Sequence, residues 1–148
     1  MSEKGKILNV LQIFTRAIEL HGTDKVKETI ESLEKQQIAE SERLLLDYIV
    51  TKCMDFYDVE PKEIFNTSVR KCATARSMSF VLLNQHTKLT QEEIGGLFGG
   101  TRQGVSRAVK MYNRERRGVS DTAGLNFIKS HEELNKKIIE FKKNLKTA

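Results

Sequence analysis

The stretch Leu89–Tyr112, LTQEEIGGLFGGTRQGVSRAVKMY, decides how the rest of the chain is read. Thr90 and Glu93 have the spacing of a capping box, in which the hydroxyl of the first accepts the backbone N–H of the second and the carboxylate reaches back to the N–H of Thr90. Ile94, Leu97 and Phe98 then share one apolar face. Gly99 and Gly100 follow where a helix ending in a left-handed residue is best served by a missing Cβ, and Thr101 is placed to cap a second helix. At 3.6 residues per turn that helix turns Val105, Ala108, Val109 and Tyr112 inward and Arg102, Gln103, Ser106, Arg107 and Lys110 outward, while Gly104 leaves room for a close backbone approach. The pattern predicts a helix-turn-helix. Its outward side chains suit base edges, since Arg can span guanine O6 and N7 and Gln can pair with adenine N6 and N7, and base contacts concentrate in the first turns of such a helix. Any surface helix is polar outside; the capped helix, the glycine corner and the basic face together point to DNA.

Charge is distributed to match. The 148-residue chain carries a net charge of +5. Between Ser68 and Gly118 ten Lys or Arg stand against three acids, a local net charge of +7 that leaves −2 for the remainder. A basic segment coinciding with the helix-turn-helix is the electrostatic footprint of phosphate neutralisation. The expected phosphate or minor-groove contacts are Arg70, Lys71, Arg76, Lys88, Thr90, Gln91 and Lys110, and the expected base readers are Thr101, Arg102, Gln103, Ser106 and Arg107.

Other chemistries find little support. Cys53 and Cys72 are the only cysteines and fall in apolar-periodic helical stretches, as reduced, buried residues do. Neither has a Cys or His at ligand spacing, and His21, His86 and His131 are scattered, so no metal is expected. GGLFGGTRQG lacks the lysine and the preceding strand of a phosphate-binding loop, and no Ser/His/Asp or Cys/His set is arranged for nucleophilic catalysis. Tyr112, a possible nucleophile, falls on the inward face. The reading is therefore of a non-enzyme without cofactor or evident small-molecule ligand. There is no signal-peptide pattern and no apolar run near the roughly 18 residues of a membrane span, so a cytoplasmic, nucleoid-associated setting is expected.

Outward from the motif, apolar periodicity predicts helices throughout. One runs over about Lys6–His21 with Ile7, Leu11, Phe14, Ala17 and Ile18 on one face, and Gly22 stops it. A second, capped by Thr23 or Asp24, reaches about Lys35 with a thin stripe of Val26, Ile30 and Leu33. A third covers about Ala39–Tyr57 with Leu44, Leu45, Tyr48, Ile49, Cys53 and Phe56. The chain breaks at Asp58 and re-enters at Pro61, its only proline, to form a short helix holding Ile64 and Phe65. Thr67 or Ser68 then caps a long helix to about Lys88, with Val69, Cys72, Ala73, Met78, Val81 and Leu82 facing the core. After the polar turn at Gly118, Ser120 or Asp121 starts a last helix in which Phe127, His131, Leu134, Ile138, Phe141 and Leu145 recur in alternating steps of four and three, a heptad seam. That seam packs either within the chain or on another protomer. The predicted class is all-α: a multi-helix bundle with a helical extension over residues 1–38, the DNA-binding domain over 39–118 and a C-terminal helix over 119–148.

The segment from about Leu45 to Tyr112 resembles the C-terminal DNA-binding domain of the bacterial replication initiator DnaA. The likeness rests on YIVTKCMDFYDVEPKEIF, on VRKCATARSMSFVLL and on TQEEIGGLFGG, similar to that family's "S–IG–FGG" segment. It implies a Trp-repressor-like helix-turn-helix binding short duplex sites. The family's reading signature, Arg-Asp-His-Thr-Thr-Val, is replaced by Gly100, Thr101, Arg102, Gln103, Gly104 and Val105, which implies an altered target sequence. Its minor-groove arginine falls nearest Ser68, with Arg70 two residues on, and Arg76 matches its helix arginine. LTQEEIGGLFGGTRQGVSRAVK is also similar to the helix-turn-helix of Crp and Fnr regulators, which implies Arg102, Gln103 and Arg107 as readers. The expected function is sequence-specific binding of double-stranded DNA in replication initiation or transcription, without ATPase activity, with homo-oligomerisation through the terminal helices as a further possibility. The alternative is an oligomeric DNA-binding or protein-interaction accessory of a phage or mobile element, serving packaging or replication assembly.

Overall fold

The computed structural model describes residues 24–36, 40–64, 69–118 and 122–147. Among them are six α-helices, one 3₁₀ turn and no strand: α1 (Asp24–Lys35), α2 (Glu40–Tyr57), the 3₁₀ turn Pro61–Glu63, α3 (Arg70–His86), α4 (Gln91–Leu97), α5 (Arg102–Arg116) and α6 (Thr122–Thr147). The predicted helix over Lys6–His21, the Phe65 position and the proposed caps at Thr67, Ser68, Ser120 and Asp121 lie outside the described residues.

One core draws on all six helices. Ile30 and Leu33 of α1 join Leu46, Ile49, Val50, Cys53 and Met54 of α2, Cys72, Met78, Val81, Leu82 and Leu83 of α3, Ile94 and Leu97 of α4, Val105 and Tyr112 of α5, and Phe127, Leu134 and Ile138 of α6. Burying each such side chain is worth roughly 1.5–3 kcal/mol. The two cysteines are free and buried, and burial pushes the Cys53 thiol up to about 12, so it remains protonated at neutral pH. In packing, α3 is central, touching α2, α4, α5 and α6, whereas α1 lies against α4.

The seam of α6 is spent inside the chain. Phe127, His131, Leu134 and Ile138 are buried, and the helix packs on α2, α3 and α5. Farther along, Phe141 stacks on Tyr48 of α2 with ring centroids 4.0 Å apart.

Among the described residues, helix ends depart from the predicted ones in two places. First, α3 begins at Arg70, with Val69 as N-cap and no side-chain cap bond, a later start than predicted. Second, the segment expected as a short helix after Pro61 is a single 3₁₀ turn, closed reciprocally by Glu60 and Glu63. The break after α2 is a Schellman ending. Asp58 takes φ 56°, its N–H bonds Asp55 O at 3.3 Å, and the N–H of Val59 bonds Met54 O at 2.9 Å.

Candidate nucleic-acid interface

The two helices of the motif are set by their caps. The Thr90 hydroxyl accepts the N–H of Glu93 at 3.1 Å and the Glu93 carboxylate accepts the N–H of Thr90 at 2.9 Å, the predicted capping box. Helix α4 ends in a Schellman motif. Gly99 takes φ 74° and donates to Gly96 O at 3.1 Å, and Gly100 donates to Gly95 O at 2.8 Å. Only Gly99 of that pair needs the left-handed region. The Thr101 hydroxyl then accepts the N–H of Gly104 at 3.2 Å and opens α5.

The close approach that makes the corner belongs to Gly95, not Gly104. A Cβ on Gly95 would lie 2.5 Å from the Thr101 carbonyl oxygen and 2.7 Å from its carbon, whereas one on Gly104 would meet nothing nearer than the Thr101 hydroxyl at 3.8 Å. The neighbouring Gly96 serves a different contact, since a Cβ there would collide with the Thr29 side chain of α1. Helix α1 therefore sits on α4 away from α5, and Gln36 donates to the Glu93 carboxylate at 3.1 Å.

On α5, Val105, Ala108 and Tyr112 are buried and Arg102, Gln103, Arg107 and Lys110 exposed, as the 3.6 period requires. The outward side chains, half-buried Ser106 included, meet Gln91 from the start of α4 around a shallow concavity of about 460 Å³. Its wall is cationic and amide in character. The first turn of α5 holds no acid, so the positive end of the helix dipole and Arg102 add rather than cancel. Helix α4, by contrast, places Glu92 and Glu93 in its first turn. The arrangement suits an anion approaching the start of α5.

The remaining expected contacts divide. Lys88 and Thr90 lie exposed beside α4, and Arg70 is exposed at the start of α3. Lys71 is exposed but its ammonium donates to Asp58 O at 2.8 Å. Arg76 is turned inward, donating to Ile64 O at 2.7 Å, and burial lowers its pKa. It ties α3 to the end of the 3₁₀ turn.

The basic face of the helix runs on past Tyr112. Helix α5 continues to Arg116, and Arg114 stands four residues beyond Lys110, so it extends the basic face by a further turn. Arg114 also borders a second cleft of about 590 Å³, whose other walls include Arg70, Thr74 and Ser77 of α3 and Phe127 of α6. The spacing from Lys110 was the available signal. That α3 would bring Arg70 to the same cleft had none in the sequence.

Behind α5 a polar chain runs from the buried Tyr112 and His131 out to the exposed Gln85. The Nε2–H of His131 donates to Gln85 Oε1 at 2.8 Å, which leaves Nδ1 to accept the Tyr112 hydroxyl at 3.1 Å. His86 repeats the logic one turn along, donating from Nε2 to Asn135 Oδ1 at 2.6 Å. Among the described residues no three His, Cys, Asp or Glu side chains gather to hold a metal ion, and no helix is long and apolar enough to cross a membrane. Comparison of the chain with protein-family models, with curated proteins and with solved structures gives no match in any of the three.

Proposed function

We propose that this chain is a sequence-specific double-stranded DNA-binding protein that acts in the control of replication initiation or of transcription and has no ATPase or other enzymatic activity. The observation carrying the reading is the single surface shared by Gln91, Arg102, Gln103, Ser106, Arg107 and Lys110 at the acid-free start of α5. In the proposed complex the first two turns of α5 enter the major groove. Arg102 and Gln103 read base edges, Arg107, Ser106 and Thr101 complete the reading set, and Lys110, Lys88, Thr90, Gln91 and Arg70 hold phosphates. The DnaA-like pattern of α2 to α5 supports duplex DNA over RNA, and the loss of that family's reading signature supports a different target.

Selection from a random duplex pool tests it. The expected result is enrichment of a defined motif of a few base pairs, and a pool recovered without enrichment would sink the sequence-specific reading.

A second reading is favoured by one observation. Leu125 and Ile139 are 51% and 41% exposed on the outer side of α6, fourteen residues apart and so at the same heptad position. An oligomeric accessory of a phage or mobile element would use such a face for assembly. Light scattering separates the two: a large closed oligomer favours assembly, a monomer or dimer favours the DNA-binding regulator.

A further inference from the structure

We infer that the cleft between the start of α3 and the last turn of α5 is a second DNA contact, in which Arg114 and Arg70 clasp one backbone phosphate outside the base pairs read by α5. This rests on the proposed DNA-binding reading. The two arginines line the same cleft from different helices. Arg114 keeps 69% of its side chain exposed and makes only a loose ion pair, 3.8 Å, with Glu115, whose side chain is 13% exposed. Arg70 is exposed, and the helix it opens has neither a side-chain cap nor an acid in its first turn. Four backbone N–H groups at such a helix start lack intrahelical partners, and the dipole adds to the arginine charge. The α3 face that continues into the cleft is Ala73, Thr74 and Ser77, small enough to let a backbone approach.

Helix length assigns the cleft to a phosphate and not to a base. Arg102 and Arg114 are twelve residues apart in α5, which is about 18 Å along the axis. The major groove is about 12 Å wide and 8.5 Å deep. With the first turns of α5 inside it, Arg114 lies beyond the groove, at the level of the sugar-phosphate rim. It nevertheless remains on the duplex side of the helix, because it follows Lys110 by four residues. The recognition surface is thereby bounded by a phosphate contact at each end: Gln91 beside Arg102, and the Arg70–Arg114 cleft at the far end.

The test uses the full-length chain and the duplex recovered by selection, with affinity measured across salt concentrations for wild type, Arg70→Ala, Arg114→Ala, the double variant and Arg114→Lys. Thermal midpoint and helical signal establish that each variant is folded. The double variant is expected to flatten the slope of log K against log[salt] by about one, the value for one phosphate. Neither single variant should exceed that loss, Arg114→Lys should hold the wild-type slope, and the enriched motif should be unchanged. A neutral methylphosphonate at one flanking position should reproduce the loss in wild type and add nothing in the double variant. A double variant with the wild-type slope, or a changed motif, overturns the clasp while leaving DNA binding intact. A wild-type chain that binds no duplex overturns the DNA-binding reading itself, and the clasp with it.

Discussion

The hydroxyl of Tyr112 lies 3.1 Å from Nδ1 of His131, and through this bond the helix that carries the basic face is fastened to the last helix of the chain. Their rings tilt against one another at 4.3 Å between centroids, so the contact combines a hydrogen bond with aromatic packing. Since Gln85 takes the other ring nitrogen, the neutral imidazole is satisfied on both sides.

Acid should loosen this joint. Burial, with His86 and Arg116 nearby, lowers the His131 pKa from 6.5 to about 4. His86, which Lys142 also faces, is shifted the same way. Between pH 6.5 and 4 the unfolded chain therefore binds more protons than the folded one, so stability is full above the unfolded value and falls as pH drops towards 4. For His131 alone the loss by pH 4 is on the order of 3 kcal/mol, taking about 1.4 kcal/mol per tenfold change in proton affinity. Urea unfolding at intervals from pH 7 to 4 measures it. A His131→Gln variant should lose most of the dependence, and an unchanged profile would show that the ring does not titrate across the transition.

Gly95→Ala should break the corner of the motif. Its Cβ would press on the backbone of Thr101, and backbone cannot step aside as a side-chain tip can. Overpacking of this kind costs about 1–3 kcal/mol. Gly96→Ala meets only the Thr29 side chain and should cost less, and that cost should shrink when Thr29 is also shortened to Ala. Denaturant midpoints of the variants give the ranking.

Asp58→Gly should stabilise. Asp58 holds φ 56° at the end of α2, a region that costs a residue with a Cβ roughly 1 kcal/mol or more. The Lys71 bond at this position is to the backbone carbonyl and survives the change. A gain of about 0.5–1 kcal/mol is expected after the added entropy of glycine in the unfolded chain is counted. A lower melting temperature would mean that the aspartate side chain contributes more than its conformation costs.

Two substitutions on α5 should separate reading from holding. Arg102→Ala is expected to cost about 1–3 kcal/mol and to relax preference at one base pair. Lys110→Ala should weaken all sequences alike and flatten the salt slope by about one. Binding to the selected site and to single-base variants, at several salt concentrations, distinguishes them. If both variants lost affinity with no change in preference, the base-reader assignment to Arg102 would fail.

Local signals in the sequence determined the all-helical class, the capping box of Thr90 and Glu93, the Thr101 cap and the inward placement of Val105, Ala108 and Tyr112, because caps and 3.6-residue periodicity involve neighbours only a turn or two apart. The outward basic face was legible for the same reason. Tertiary structure decided what depends on residues distant in sequence. The α6 seam could have met another protomer; packing on α2, α3 and α5 consumes it, and the buried histidine within it is accommodated because Gln85 and Tyr112 arrive from two other helices. Arg76, equally cationic on paper, is spent on the Ile64 carbonyl, whereas Arg70, six residues earlier, stays exposed beside Arg114. Which arginines face solvent is set by how α3 lies against its neighbours, and helical periodicity alone carries no record of that.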